Sequence, residues 1–446
     1  IKLHKDHTDA YENVIRDDKN RIHPKEWLRF KKMIETLVDQ AKKYASETSE
    51  RDASNITLNR CHNAIMLGGE RGSGKTTFML SALDAIKEGR KGDDNETIFP
   101  LGLQPLPIID PTLIEPKVHI FVNIIALIKD EVDKEAKPLN CSHKDSDRYD
   151  RYEKWRKSFS RLAEGMPCVQ GIGSNGFTGD DWLDSEFVME KGVRRAHATH
   201  TLEKNFHDYI YQSLEFIKKT AFILCFDDID THFEKGGPVL GVIHKYLTTP
   251  QLIIVLSGDP QLYSLLIRQK QWKNFSKRML DRDKRDYPSM VDHLEGQFFL
   301  KILKPERRIF LSSLFEKTRL QNEYKIYVTI SGQENLLPDF YDENLQKKLK
   351  ICGRSHLNLY RRFLLSLPIR TQYQLLTLFA EQSASGELES EKLEYAILQI
   401  FWSDLAGKKV EVSALCNASQ YTILNTLKYL VDNKILNQGY LLMPSF

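Results

Sequence analysis

The chain has 446 residues, of which 41% are hydrophobic and 28% are charged, as in ordinary globular proteins. Its 64 basic and 61 acidic residues nearly balance, and this argues against a chain devoted to binding polyanions. The six cysteines are scattered, so we expect reduced thiols and neither disulfides nor zinc ligands. No apolar stretch approaches the length of a membrane span, and we therefore expect a cytoplasmic protein without an anchor or signal peptide.

The first 59 residues are charged and typical of helix. Trp27, Phe30, Ile34 and Leu37 recur at helical spacing, which predicts an amphipathic helix. We expect this helix to pack on the domain that follows, which begins near residue 60, and to have no catalytic role.

A phosphate-loop pattern follows the apolar run at residues 64–67, which is predicted to be a buried strand. It consists of a glycine, four further residues and Gly-Lys-Thr, and a helix-like segment comes next. Glycines let the backbone wrap closely around a polyphosphate, and the amides at the helix start point at it. We expect Lys75 to reach the β- and γ-phosphates and the Thr76 hydroxyl to bind magnesium. The pattern predicts that ATP and Mg²⁺ are bound through Gly69, Glu70, Arg71, Gly72, Ser73, Gly74, Lys75, Thr76 and Thr77.

Further apolar runs alternate with helix-length segments, which is typical of a parallel sheet covered on both faces. We predict strands at residues 118–128, 222–226, 252–256 and 298–303. Residues 129–220 are mostly charged and helix-like. They include His197, His200 and His207, which we interpret as solvated helix residues because no other ligand type lies at metal-binding spacing.

The predicted strand at 222–226 ends in three carboxylates within four positions. Hydrolysis of a phosphoanhydride needs charge neutralisation on the phosphates and a water in line with the scissile bond. We expect Asp227 to hold magnesium beside Thr76, and Asp228 to polarise the attacking water. Asp230 lies on the face of Asp228 and is expected to orient it or to bind a neighbour.

The neighbouring predicted strand ends at Ser257, whose hydroxyl is placed to touch the water or the γ-phosphate. Asp259 and Pro260 come next and are expected to cap the following helix.

Two groups of arginines are candidates for stabilising the charge of the transition state. The segment 268–286 is dense in cations, and we favour Arg282 or Arg285 as a residue that reaches the nucleotide of a neighbouring subunit. A solvated helix face and a pore or nucleic-acid contact remain alternatives for this segment. Arg370 follows Leu367-Pro368-Ile369 at a helix start and is expected to reach back over the phosphates, with Arg354 as its competitor.

The C-terminal part reads as several helices up to about residue 382, a polar joint at 383–390, and a final small domain. Residues 392–446 are predicted to form helix, short helix at 412–416, helix at 420–431 and a hairpin at 436–441, as in a winged helix. The third helix carries Lys428 as its one cation, so contact with protein is favoured over contact with DNA.

These features resemble the AAA+ branch of phosphate-loop ATPases, and the Asp227-Asp228-Ile229-Asp230 ending is also similar to signalling ATPases of the STAND and KAP types. The resemblance covers roughly residues 60–446. It implies an α/β fold, an AAA+ (ASCE) P-loop NTPase with a parallel sheet core at 60–304, a helical insertion at about 129–220, a helical lid at 305–384 and a winged-helix-like domain at 385–446. The N-terminal helical segment, residues 1–59, precedes it.

More narrowly, the segments 109–115, 256–259 and 367–370 look similar to the ATPase subunit of RADAR antiphage defence systems. That resemblance implies a bacterial, ring-forming ATPase that works with an adenosine deaminase subunit. Most AAA+ enzymes have glutamate where this chain has Asp228, which predicts slow or switch-like hydrolysis. Two alternatives stay open: a replication-initiator-like ATPase that binds DNA, and a STAND-type scaffold that binds ATP without turnover.

Overall fold

In the computed structural model the described residues are 21–49, 60–90, 97–115, 118–137, 146–166, 185–230, 233–272, 287–320, 325–330, 333–349, 351, 353–381, 390–407, 410–416, 418–434 and 436. They divide into two compact units. The sheet unit comprises the described residues within 23–69 and 78–310. The helical unit comprises those within 21–22, 70–77 and 311–436.

A parallel sheet of five strands, in the order β2-β3-β4-β1-β5, is the centre of the sheet unit. The strands are β1 (Ala64–Gly68), β2 (Leu103–Pro105), β3 (Ala221–Phe226), β4 (Leu252–Gly258) and β5 (Arg308–Phe310). Every residue of β1, β3 and β4 is buried, as expected of strands whose two faces are both covered. The α/β class and the strands predicted at 64–67, 222–226 and 252–256 are confirmed, and the sheet is compatible with a P-loop NTPase fold.

Helices cover the sheet, and two of them form most of the described part of the insertion. The helices are α1 (Pro24–Ser49), α2 (Lys75–Glu88), α3 (Ile120–Ala136), α4 (Ser146–Gly165), α5 (Ser185–Ile217), α6 (Phe233–Lys245), α7 (Pro260–Trp272) and α8 (Tyr287–Ile302). Helices α4 and α5 pack against each other, and the indole N–H of buried Trp155 donates to the hydroxyl of Ser213 at 3.0 Å. His207 of α5 is buried, so its interpretation as a solvated residue was wrong.

The strand predicted at residues 118–128 is wrong, because this run begins helix α3. The ring Nδ1 of His119 accepts a hydrogen bond from the N–H of Phe121 at 3.2 Å, which caps the helix. Phe121, Ile124 and Ile128 are fully buried while Val122 is 36% exposed, and this is helical spacing. The run is rich in β-branched residues and has the composition of a strand, with His119 and Asn123 as its two polar residues. Tertiary packing nevertheless makes it a helix.

The strand predicted at 298–303 is also wrong, since these residues end helix α8. Leu300 is 53% exposed between buried Phe299 and Ile302, whereas a strand in the middle of this sheet would bury it. The fifth strand lies further along, at Arg308–Phe310, after a short 3₁₀ turn at Pro305–Arg307.

Helix α1 packs on the sheet unit through the predicted apolar face. Trp27, Phe30, Ile34 and Leu37 are all buried. The ring of Trp27 meets Phe78 edge-on at 5.2 Å between centroids and Phe99 at 5.5 Å. The prediction of an amphipathic helix that packs on the following domain is confirmed.

The helical unit has its own core, which includes Tyr341, Tyr360, Phe379 and Phe401. Its elements are β6 (Tyr327–Ile330), β7 (Gln333–Leu336), α9 (Leu314–Leu320), α10 (Leu337–Leu349), α11 (Arg354–Ser366), α12 (Ile369–Glu381), α13 (Ser390–Gly407), α14 (Val412–Cys416) and α15 (Gln420–Asp432). Strands β6 and β7 form an antiparallel pair that the sequence did not predict.

The three helices predicted after residue 392 are present as α13, α14 and α15. Of the predicted hairpin at 436–441, residues 437–441 lie outside the described residues. Among the described helices, none is both long and apolar enough to cross a membrane.

We predict that Trp27→Ala lowers the free energy of unfolding by about 3 kcal/mol, because it removes the centre of a buried aromatic cluster. Leu28→Ala is the matched control, since Leu28 lies on the same helix and is 52% exposed. Its expected effect is under about 0.5 kcal/mol. Urea unfolding of the two variants measures the difference, and equal effects would contradict the packing of α1 described above.

Candidate functional site

The carboxyl ends of three strands in the sheet unit lie at one level. In the parallel register Leu67 pairs with Ser257 and Gly68 with Gly258, while Phe226 pairs with Leu256. Ligands of open α/β sheets bind just beyond this edge. The side chains that follow β3 and β4 are therefore the first candidates for chemistry.

Asp227 is buried at the end of β3, with 7% of its surface exposed. Its carboxylate accepts hydrogen bonds from the hydroxyl of Ser257 and from the N–H of Asp228, the latter at 3.1 Å. Its own N–H donates to the carbonyl of Ile109 at 3.0 Å. The structure thus joins Asp227 and Ser257 directly, a contact that was not predicted, since the Ser257 hydroxyl was expected to touch the water or the γ-phosphate.

Asp228 lies at the surface in an unusual backbone conformation. Its φ is +50°, in the left-handed region that few residues other than glycine adopt. The chain therefore turns sharply after Asp227, and the side chain of Asp228 is exposed. Residues with strained backbone of this kind cluster at functional sites.

Asp230 is buried and fixes the start of helix α7, which follows β4. Its carboxylate accepts from the N–H of Asp259 at 2.6 Å. Asp259 in turn accepts from the N–H of Gln261 at 2.8 Å, which caps α7 as predicted. Of the two roles expected for Asp230, the structure gives the contact to a neighbour.

Tyr263 completes this network, and sequence reasoning missed it. Its side chain is fully buried, and its hydroxyl donates to the carbonyl of Ser257 at 2.7 Å. Burial, and next the charges of Asp230, Asp227 and Asp228, raise the pKa of Tyr263 well above its ordinary value. The hydroxyl therefore stays protonated as a donor that fixes the tip of β4.

The turn after β2 lies at the same edge. Asp110 accepts from the N–H of Thr112 at 2.8 Å and caps a 3₁₀ turn at Pro111–Leu113. The ammonium group of Lys235 donates to the carbonyls of Thr112, at 3.1 Å, and Ile114. Lysine 235 thereby ties α6, which follows the acid cluster, to the turn that contains the segment 109–115.

The loop at residues 69–77 follows β1 directly in the chain and has the backbone that a phosphate cradle requires. Gly72 and Gly74 have φ values of +82° and +89°, which favour glycine. The N–H of Ser73 donates to the carbonyl of Glu70 at 3.1 Å, and the ammonium group of Lys75 donates to the same carbonyl at 3.0 Å. Helix α2 begins at Lys75.

This loop fits a bound triphosphate on two observations. A Cβ atom built on Gly74 meets nothing within 4 Å, so there is open space over the loop. The hydroxyl of Ser73 is buried and has no hydrogen-bond partner among the described residues. A buried hydroxyl of this kind is costly until a ligand or water meets it.

Arg370 is the candidate arginine that the structure brings to this loop. The N–H of Arg370 donates to the carbonyl of Gly72 at 3.1 Å, and its side chain is exposed in the first turn of α12. A Cβ atom built on Gly72 would lie 3.1 Å from Cβ of Pro368. Arg354 is exposed at the first position of α11.

A buried glutamine holds the turn that carries Arg370. The side-chain amide of Gln372, fully buried, donates to the carbonyls of Leu365 and Leu367 at 3.0 and 2.8 Å. Arg282 and Arg285, the residues expected to act on a neighbouring subunit, lie outside the described residues.

No protein-family model matches the sequence, and no curated protein is significantly similar to it.

We predict that Gly258→Ala lowers the free energy of unfolding by about 1–3 kcal/mol, because overpacking at this position displaces the acid network. The added Cβ would lie 2.5 Å from the ring of Tyr263 and 3.1 Å from the carboxyl carbon of Asp230. Gly296→Ala is the control, since a Cβ there meets nothing within 4 Å and α8 tolerates alanine better than glycine. Thermal unfolding distinguishes them, and a Gly258→Ala protein as stable as the control would contradict the tight packing.

Proposed function

We propose that the chain is an ATPase that binds ATP and Mg²⁺ at the loop of residues 69–77. The observation that carries this proposal is the conformation of Gly72 and Gly74, both with positive φ, in a loop between a buried parallel strand and a helix. Backbone amides at a helix start, with the positive end of its dipole, favour phosphate. In this proposal Lys75 exchanges its contact with the Glu70 carbonyl for the β- and γ-phosphates.

The acid network at the ends of β3 and β4 supports hydrolysis as the reaction. The chemistry that magnesium supplies when bound is neutralisation of the phosphate charge, with Thr76 and Asp227 as the residues that would hold it. Ser257 and Tyr263 keep Asp227 and the tip of β4 in place. Exposed Asp228 polarises the attacking water and accepts its proton while the water oxygen joins the γ-phosphorus and the bond to the leaving ADP oxygen breaks. The proton then passes to bulk solvent.

We further propose that the chain belongs with AAA+ ATPases, works as a ring, and couples its nucleotide state to assembly with an effector. The resemblance to the RADAR ATPase subunit suggests an adenosine deaminase as effector and bacterial antiviral defence as the setting. Arg370 then acts within its own subunit and Arg282 or Arg285 on the neighbouring one. The position of Arg370 against Gly72 supports the first of these roles.

Two other functions, DNA binding and a scaffold that binds ATP without turnover, make different predictions. Helix α15 exposes Tyr421 and Tyr429, with Lys428 between them, so a DNA-binding role has one cation and two stacking rings on this helix. Salt-dependent DNA binding by the chain would favour the replication-initiator alternative. A nucleotide-dependent scaffold instead predicts ATP binding without turnover.

We predict that Lys75→Ala raises the Kd for ATP by at least about 100-fold, because it removes the cation that contacts the terminal phosphates. Lys87→Ala is the matched control, since Lys87 is exposed near the end of the same helix. Calorimetric titration with ATP and Mg²⁺ measures both. Micromolar affinity retained in Lys75→Ala would refute the assignment of the loop.

We expect Asp228→Asn to lower kcat by at least about 100-fold while leaving the Kd for ATP unchanged, because only the acceptor for the water proton is lost. Phosphate release under saturating ATP gives kcat, and calorimetry gives Kd. An unchanged rate would favour the scaffold alternative over an enzyme.

Arg370→Ala should reduce the preference for ATP over ADP by about tenfold, since its charge is proposed to meet the γ-phosphate. Arg354→Ala serves as the control and should leave this preference unchanged. Competition titrations with the two nucleotides provide the ratio. If Arg354→Ala alone changed the ratio, the two arginines would exchange roles.

A further inference from the structure

A second cluster of basic side chains lies at the amino ends of the strands, whereas the phosphate loop follows the carboxyl end of β1. His62 precedes β1 by two residues, and its ring stacks on that of His244 from α6, with 5.7 Å between centroids and 10° between planes. His62 is 6% exposed, and neither of its ring nitrogens has a hydrogen-bond partner among the described residues. Because buried polar groups almost always form hydrogen bonds, the ring nitrogens of His62 are expected to have a partner that these residues do not supply.

Positive charge surrounds this pair of rings. Burial and then the charges of His244, Lys301 and Arg60 lower the pKa of His62 to about 4. Burial, Lys301, Lys270 and Arg60 likewise lower the pKa of His244. Lys301 follows Phe298 by three residues on α8, so the two side chains lie on the same face of that helix.

Arg60 has a carboxylate partner, whereas Lys270 and Lys301 have none among the described residues. Arg60 forms a two-point ion pair with Glu203, its Nε lying 2.9 and 3.0 Å from the carboxylate oxygens. Glu203 also accepts from the hydroxyl of Thr248 at 2.6 Å, which fixes it. Neither Lys270 nor Lys301 forms an ion pair with a described residue.

A single aromatic ring positions two members of the cluster. The ring of His244 lies 5.1 Å from that of Phe298, between centroids, and the ammonium group of Lys270 lies 5.7 Å from the same ring. Burial lowers the pKa of Lys270, so part of its hydration is already lost. An ammonium group held this way binds an anion at a smaller further cost of ordering.

We propose that His62, His244, Lys270 and Lys301 form a second anion site, which takes the phosphate group of a small molecule. An oxyanion accepts hydrogen bonds from the imidazole N–H groups and from the ammonium groups, and it balances the charge of the lysines. The site is independent of the proposed ATPase function, because it uses none of the loop residues.

The test uses the full chain carrying Lys75→Ala, so that phosphate binding at the loop is removed. Inorganic phosphate is titrated in at constant ionic strength, with chloride as the replaced anion, and the imidazole resonances are followed by NMR in ¹³C-histidine-labelled protein. His62→Gln and His244→Gln assign the two resonances. We expect a saturable shift of both, with a raised pKa for His244 when phosphate is bound.

Variants of exposed lysines then locate the site without disturbing the core. Lys270→Gln with Lys301→Gln should weaken phosphate binding by at least about tenfold. Lys245→Gln is the matched control, because Lys245 follows His244 on α6 but lies over the ring of Tyr246; it should bind phosphate as before. A shift that does not saturate, or equal losses in the control, would overturn the proposal.

A further arm separates free phosphate from the phosphates of a nucleic acid. A single-stranded oligonucleotide of thymidines is titrated into the same proteins. If it shifts the two resonances through Lys270 and Lys301 while inorganic phosphate does not, the small-molecule site is wrong. If inorganic phosphate gives a saturable shift and the oligonucleotide gives none, the small-molecule site is supported.

Discussion

Parallel pairing between β1, β3 and β4 fixes the level at which these strands end, and the proposed chemistry depends on that level. The pairing is in turn fixed by burial, because every residue of the three strands lies in the core. A slip of one residue would exchange the side chains that face the two sides of the sheet and would mismatch the packing on both. With this register, Leu67 pairs with Ser257 and the hydroxyl of Ser257 meets the carboxylate of Asp227.

The tips of these strands are then held by residues that do no chemistry themselves. Tyr263 binds the carbonyl of Ser257, and Asp230 binds the N–H of Asp259, so that α7 starts at a fixed place. The left-handed backbone of Asp228 leaves its carboxylate exposed next to buried Asp227. A buried acid and an exposed acid in succession suit the two different tasks proposed for them.

The parts of the fold that follow from local composition were predictable. Three strands consist almost entirely of apolar residues. The loop at 69–77 combines three glycines with Lys75 at the spacing of a phosphate-loop pattern. The place of Ser257 at the tip of the neighbouring strand was predicted, but the hydrogen bond from its hydroxyl to Asp227 was not.

Residues 118–128 and 298–303 show where that reasoning stops. Both runs have the composition of strands, yet each is buried on one side only, and tertiary packing made them helices. The pairs Tyr263–Ser257 and Asp230–Asp259 join side chains to backbone groups across a turn or a neighbouring strand. Such contacts leave no periodic signal in a sequence. The stacking of His62 on His244 leaves none either, because the two residues are far apart in the chain.

The most direct measurement for the central claim is a crystal structure of the chain with Mg²⁺ and a non-hydrolysable ATP analogue. The account predicts that the amides of residues 72–76 hold the phosphates and that the metal, bound through Thr76, faces Asp227. A nucleotide bound elsewhere, or a metal remote from Asp227, would contradict it.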